Sequence, residues 1–147
     1  MKELKAEIII HASMTKVWEI ITLFDNYSNW NPIIQKIIGK PQLGENIEIH
    51  IHTVGGKNRI YHPIITKFDP PFELRWEGKF FLSSVLKGER IFKIIKLSEN
   101  ESKFINMEIF SGFGTKFTPK KMEQDILASF EKMNLSLKDF SESNNSN

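Results

Sequence analysis

The sequence predicts an α+β domain in which one long C-terminal helix lies against a run of antiparallel strands. Three observations carry this. Over residues 118–140, Met122, Ile126, Phe130, Met133, Leu137 and Phe140 recur at spacings of four and three, which is one apolar stripe down a helix. Between residues 45 and 110, short segments alternate apolar and polar residues between turn signals, the period of half-buried strands. At 147 residues the chain is long enough for one domain with a real core.

The elements follow in order. Residues 4–11 form a strand, with Glu3, Lys5 and Glu7 alternating against Leu4, Ala6 and Ile8. Ser13 caps a helix whose apolar face is Val17, Ile20, Ile21 and Phe24, with Trp18 beside it. Asp25 and Asn26 end that helix. A further helical turn is expected at residues 28–30, before Asn31-Pro32 breaks the pattern. Residues 33–40 are the second strand and 41–44 a turn. Residues 45–54 alternate most clearly, with Ile47, Ile49 and Ile51 opposed to Glu48, His50 and His52. Gly55-Gly56 marks a hairpin. Residues 59–68 form the next strand, in which Pro63 demands an edge position or a bulge. Residues 69–71 are a turn. Residues 73–80 place Leu74, Trp76 and Phe80 on one face.

Residues 85–97 and 101–110 make the last hairpin, closed by a three-residue loop at 98–100. Pairing counted from that loop sets Phe92 opposite Asn106 and Arg90 opposite Glu108. Lys87, Glu89 and Lys93 then face water, and Leu86, Arg90, Phe92 and Ile94 face inward. A slip of one residue would reverse the final strand and turn Ile105, Met107 and Ile109 inward instead. A loop over residues 111–116 leads to the closing helix, where Thr118 caps and Pro119 suits the first position. Residues 1–140 are expected to form a single domain. Residues 141–147, SESNNSN, are expected to be a disordered tail.

Composition narrows the function. Charged residues are 26% and the net charge is +2, with no basic stretch interleaved with aromatics, so a nucleic-acid partner is not expected. The absence of cysteine excludes disulfides, thiolate zinc sites and a cysteine nucleophile. The start, MKELKAEIII, has no uninterrupted hydrophobic stretch. Neither a signal peptide nor an integral membrane segment is expected, and the default location is the cytoplasm. Twelve Phe against 2 Tyr suit a core or an apolar pocket.

Three stretches resemble a known family. Tyr27-Ser28-Asn29-Trp30-Asn31-Pro32 is similar to a YxxWNP stretch of bacterial members of the SRPBCC superfamily, which includes START-related lipid carriers and polyketide cyclase/dehydrase families. Residues 69–78, DPPFELRWEG, resemble its dP…eLrWxG stretch. Residues 108–112, EIFSG, with 130–138, FEKMNLSLK, resemble ExFsG…FexMNxaLK. The resemblance covers residues 6–140 and implies the helix-grip fold. That is a strongly curved antiparallel sheet of about seven strands around the C-terminal helix, with two short helices after the first strand and a mostly apolar cavity. One departure stands out. Similar sequences carry GEHxF where this chain has Gly88-Glu89-Arg90-Ile91-Phe92, so chemistry assigned to that His does not carry over to Arg90.

The site expected from these readings has Arg90 and Glu108 anchoring a polar head group, the bland reading of the same pair being a structural ion pair. Trp30, Trp76, Phe92, Phe110, Phe130 and Met133 hold an apolar body, and Phe113 and Phe117 act as lid side chains. Along the helix, Met122 and Ile126 sit near the lid, Phe130 and Met133 over the cavity, and Leu137 and Phe140 seal the far end. His50 and His52 are at most half a metal site, since spacing supplies no third ligand. Ser83, Ser84 and Ser111 lack a GxSxG elbow. Gly112-Phe113-Gly114 lacks the third glycine of a dinucleotide fingerprint, so no cofactor is expected. The leading expectation is a binder of a hydrophobic or amphipathic small molecule, such as a lipid, isoprenoid or polyketide-like ring. The alternatives are a cyclase/dehydratase-type enzyme using the same cavity and a regulatory module docking a protein on the Ile105, Met107, Ile109 face. No feature of the sequence specifies an oligomeric state.

Overall fold

A computed structural model describes residues 1–80, 86–112 and 119–143. The expected lid residues Phe113 and Phe117, the cap Thr118 and the pair Ser83-Ser84 lie outside the described residues. The chain runs β1 (Lys2–Ile10), α1 (Met14–Thr22), a 3-10 turn (Phe24–Asn29), β2 (Ile34–Ile38), β3 (Glu48–His52) and β4 (Asn58–Tyr61). It continues with β5 (Ile64–Asp69), β6 (Glu73–Phe80), β7 (Leu86–Ser98), β8 (Glu101–Ser111) and α2 (Lys120–Ser143). The strands form a five-stranded sheet, β1-β8-β7-β6-β5, and a three-stranded sheet, β2-β3-β4. This is the helix-grip arrangement expected from the sequence.

Four local expectations are corrected. The single strand over residues 59–68 is two strands in two sheets, because Pro63 has no N–H to continue a ladder. The sheets remain stitched there: Ile47 N–H donates to the Pro63 carbonyl and Ile65 N–H to the Glu45 carbonyl, both at 2.9 Å. The described strands therefore number eight. The short helical turn begins earlier than expected, at Phe24, and Tyr27 anchors it by donating from its hydroxyl to the buried Ile21 carbonyl at 2.5 Å. The last hairpin closes on a Ser98–Glu101 pair with a register shift beside Leu97, in place of a three-residue loop. Finally, α2 continues to Ser143, so residues 141–143 are not part of a disordered tail. Ser141 is fully buried, and Glu142 accepts from the His11 backbone N–H at 2.9 Å.

The register of the last hairpin is as expected, with Arg90 opposite Glu108 and Phe92 opposite Asn106. Phe104, Asn106, Glu108 and Phe110 face inward and are buried. Ser13 caps α1 by accepting from the Lys16 N–H at 3.1 Å, and Val17 and Ile21 of its apolar face are fully buried, with Ile20 partly so.

The apolar interior is divided along α2. Met133 and Leu137, both fully buried, join a large cluster with Ile10, Val17, Trp76 and Phe92. Burying a side chain of that size contributes roughly 1.5–3 kcal/mol. Phe130 belongs to a second, smaller cluster with Leu4 and Phe110. The N-terminal part of the helix thus faces a different environment from its C-terminal part.

Candidate functional site

A partly open cavity of about 90 Å³ lies under the N-terminal half of α2. Its floor follows from sheet register. Trp76 of β6 pairs with Arg90 of β7, and Arg90 with Glu108 of β8, so these side chains stand in one row on the concave face. In the next row, Gly78 pairs with Gly88 and Gly88 with Phe110. Two adjacent glycines withhold two side chains from the concave face, and room results. Ile33, Ile49, Ile51, Tyr61 and Pro63 form the opposite wall, and Ile126, Ser129 and Phe130 of α2 form the roof. An apolar cavity of about 150 Å³ takes a benzene. The enclosed space here therefore suits a compact head group, and any longer body must extend through the open side.

The hairpin tip between β3 and β4 reaches this roof. Val54 N–H donates to Ser129 Oγ at 3.0 Å, and that hydroxyl donates to the Asp125 carbonyl at 2.9 Å. Gly55 has φ +105°, which disfavours a side chain, and a Cβ there would stand 3.2 Å from Asp125 Oδ2.

Arg90 dominates the polar chemistry. It is buried, with its guanidinium carbon 4.2 Å from the centroid of the Phe130 ring and 5.4 Å from that of Phe92, a cation–π seat. Its Nε donates to Asn106 Oδ1 at 2.8 Å. Asn106 is held in turn, because its amide donates to Asn134 Oδ1 of α2 at 3.1 Å. Asn134 donates to the Ala6 carbonyl of β1 at 3.3 Å. This chain of amides fixes the guanidinium from behind. Its Nη2 is buried and has no hydrogen-bond partner among the described residues.

Glu108 does not fill that role. It faces Arg90 across the strand pair, yet no ion pair within 4.0 Å joins them among the described residues. Burial pushes the Glu108 carboxyl above its ordinary pKa, and the Arg90 charge offsets only part of this. Burial also lowers the pKa of Arg90, against the opposing charge of Glu108, although a guanidinium stays charged at neutral pH. The structural ion pair weighed from sequence is therefore not formed.

Of the expected site residues, Trp76, Arg90, Glu108, Phe110 and Phe130 line the cavity. Three do not, and each has a physical reason. Trp30 packs at the far end of α2, 5.0 Å from the Tyr27 ring and stacked on Phe140. Phe92 lies one row deeper, in edge contact with Trp76 at 5.1 Å. Met133 is fully buried in the large cluster and touches Asn106 through its sulfur. The position of Phe113 lies outside the described residues. Sequence reasoning missed Asn106 and Asn134 as supports, although Asn134 sits beside Met133 within the resembling stretch. It also missed Gly78 and Gly88, whose signal was a glycine in each of two facing strands.

The remaining candidates have other partners. His50 Nε2 is 2.7 Å from Glu48, and His52 Nδ1 is 2.6 Å from Asn58 Oδ1. Among the described residues no group of three His, Cys, Asp or Glu is placed to hold a metal. Ile105 is buried, and Met107 and Ile109 are half-buried among charged neighbours on β1, so that face is not an exposed apolar patch. No helix among the described residues is long and apolar enough to cross a membrane.

A family profile described as "Polyketide cyclase / dehydrase and lipid transport" matches residues 1–137. The chain belongs to this family. Solved structures give the same fold at low identity. The chain is similar to the di-domain ARO/CYC BexL from the BE-7585A biosynthetic pathway (TM-score 0.79, 13% identity, 100% of this chain and 48% of that one). It therefore spans about half of that two-domain protein. It is also similar to the Zhui aromatase/cyclase from Streptomyces sp. R1128 (TM-score 0.77, 12% identity, 96% and 93% covered). A START superfamily protein from Mycobacterium smegmatis is comparable (TM-score 0.74, 14% identity, 96% and 97% covered). No curated protein sequence matches.

Proposed function

We propose that this family member binds an apolar or amphipathic small molecule in the cavity under α2, with its polar end at Arg90. The observation that carries this is a buried arginine, braced from behind by Asn106 and Asn134, whose Nη2 has no partner among the described residues in an otherwise mostly apolar cavity. A buried donor left unsatisfied costs free energy, and a ligand oxygen would recover it. Apolar contact with Trp76, Phe110, Phe130 and the isoleucines of β3 would supply the rest at roughly 25 cal/mol per Å² before ordering costs.

Native mass spectrometry of freshly purified protein, with a thermal-shift screen of lipids, isoprenoids and aromatic acids, tests this reading. A retained mass, or a shift that Phe110→Trp abolishes by filling the cavity, supports it. No retained mass and no shift across the panel would sink it.

One observation favours a second reading, an enzyme of the cyclase or dehydratase kind. Glu108 faces the cavity with its pKa pushed up by burial, the direction that favours a proton donor. Turnover of a polyketide-like substrate that survives Glu108→Gln unchanged would remove that role.

A further inference from the structure

We propose that the cavity selects a small apolar monoanion, a carboxylate, enolate or phenolate oxygen on a ring or short chain, bound by Arg90 with Glu108 standing opposite. This rests on the binding reading above and adds the charge class of the ligand.

Geometry carries it. Arg90 brings a full positive charge to a wall that is otherwise mostly apolar. Its Nε is committed to Asn106, while Nη2 has no partner among the described residues. The obvious counterion, Glu108, stands opposite without closing an ion pair within 4.0 Å. A neutral ligand would leave the buried cation uncompensated, and a second cation would meet it as a like charge. An anion resolves both problems, with charge-assisted hydrogen bonds to the guanidinium. The same anion would repel Glu108 unless that carboxyl keeps its proton, and burial already favours the protonated form. The protonated acid then becomes a second hydrogen-bond donor to the ligand.

Among the described residues, few groups face Glu108. They are Arg90 from β7 and Tyr61 from β4, which line the same cavity, and Leu4, which pairs with it from β1. Lys79 of β6 borders the cavity but is exposed and shares the opposite face of the sheet with its partner Lys87. From α2 come Ile126, Ser129 and Phe130, none of them titratable. Burial raises the Tyr61 pKa above its ordinary value, away from neutral pH. A loss of acid binding as pH rises would therefore report ionisation of Glu108.

The test uses matched probes on the whole chain: benzoate and hexanoate, benzyl alcohol and hexan-1-ol, benzylamine and hexylamine. Binding is read by protein NMR, with the Arg90 Nε–H as reporter. The acids are expected to bind at least tenfold more tightly than the alcohols at pH 5, to shift the Arg90 signal, and to weaken about tenfold by pH 8. Arg90→Gln should erase the preference for acids, and Glu108→Gln should flatten the pH dependence to under twofold. Alcohols binding as well as acids would overturn the anion proposal while leaving the cavity reading intact. A preference for amines would overturn it by making Glu108 the charged anchor. If no probe shifts a cavity signal while the wider lipid panel does, the charge class is wrong; if neither does, the binding reading falls as well. The acid, alcohol and amine comparison needs no variant, so a misfolded Arg90→Gln would leave the test intact.

Discussion

Two glutamates, both with little accessible surface and on opposite faces of one sheet, meet opposite fates. Glu73 on β6 is 4% exposed and Glu108 on β8 is 8% exposed. Around Glu73, on the convex side, Arg75 donates directly, Lys67 lies 3.4 Å away and Lys93 3.9 Å away. Burial works to raise the Glu73 pKa, but the guanidinium and the Lys67 ammonium outweigh it and hold the carboxyl below its ordinary range. Glu108 has one cation acting on it among the described residues, Arg90, beyond ion-pair reach, and burial wins. The difference separates a finished structural device from a group left available. Where partners surround a buried carboxyl, the charge is part of the fold; where they do not, the site holds an unmet demand.

The largest effect should come from removing the satisfied charge. Glu73→Gln is expected to cost about 2 kcal/mol at pH 7, since hydrogen bonds to charged groups are lost. A carboxyl with a depressed folded pKa contributes stability above its unfolded value and loses it as pH falls through the folded value. The deficit in urea unfolding should therefore shrink below about pH 4, near the ordinary Glu value. A deficit as large in acid as at neutral pH would mean that packing, not charge, was lost.

Glu108→Gln should have the opposite sign. A carboxyl with a raised folded pKa contributes fully below the unfolded value, and the contribution is lost as pH rises through the folded one. The variant should therefore match the parent near pH 4 and exceed it at pH 8 by on the order of 1 kcal/mol. A loss of stability at pH 8 would show that Glu108 is a needed counterion of Arg90, and the contrast between the two glutamates would collapse.

A double-mutant cycle on Asn106→Ala and Asn134→Ala probes what braces the cavity side. The two amides share a hydrogen bond, and their coupling should be about 1 kcal/mol in unfolding free energy. Coupling near zero would mean that Asn134 does not brace Asn106, leaving Arg90 held only by Asn106 and its contacts with Phe130 and Phe92.

How much of this was legible in the sequence follows from the range of each interaction. The pairing of Arg90 with Glu108 could be counted out from one hairpin, because the extra residue at Leu97 offsets the shorter turn and restores the expected register. Pro63 announced a break, though not that the halves would join different sheets. The contact of Asn106 with Asn134 crosses from a strand to a helix 28 residues on, and no local period encodes it. The stripe on α2 has the same spacing at Phe130, which roofs a cavity, as at Leu137, which closes a core. Periodicity reports that a face is covered; what covers it is settled by the other elements, here by glycines at 78 and 88. Glu73 looked like an ordinary strand residue because its cations come from three strands, β5, β6 and β7.

The smallest effect tests how far the convex network reaches. Lys93 is 47% exposed at its side chain and 3.9 Å from Glu73, whereas Arg75 donates to Glu73 and also lies 3.3 Å from Glu89. Water screens the outer lysine, and a long exposed side chain gives up entropy to hold one geometry. Lys93→Met should therefore change unfolding free energy by less than about 0.5 kcal/mol, measured by urea unfolding at low salt. Arg75 and Lys67 would then suffice to keep Glu73 ionised. A loss above about 1 kcal/mol would mean that the three cations act as a unit, and that Glu73 is as finely balanced as Glu108.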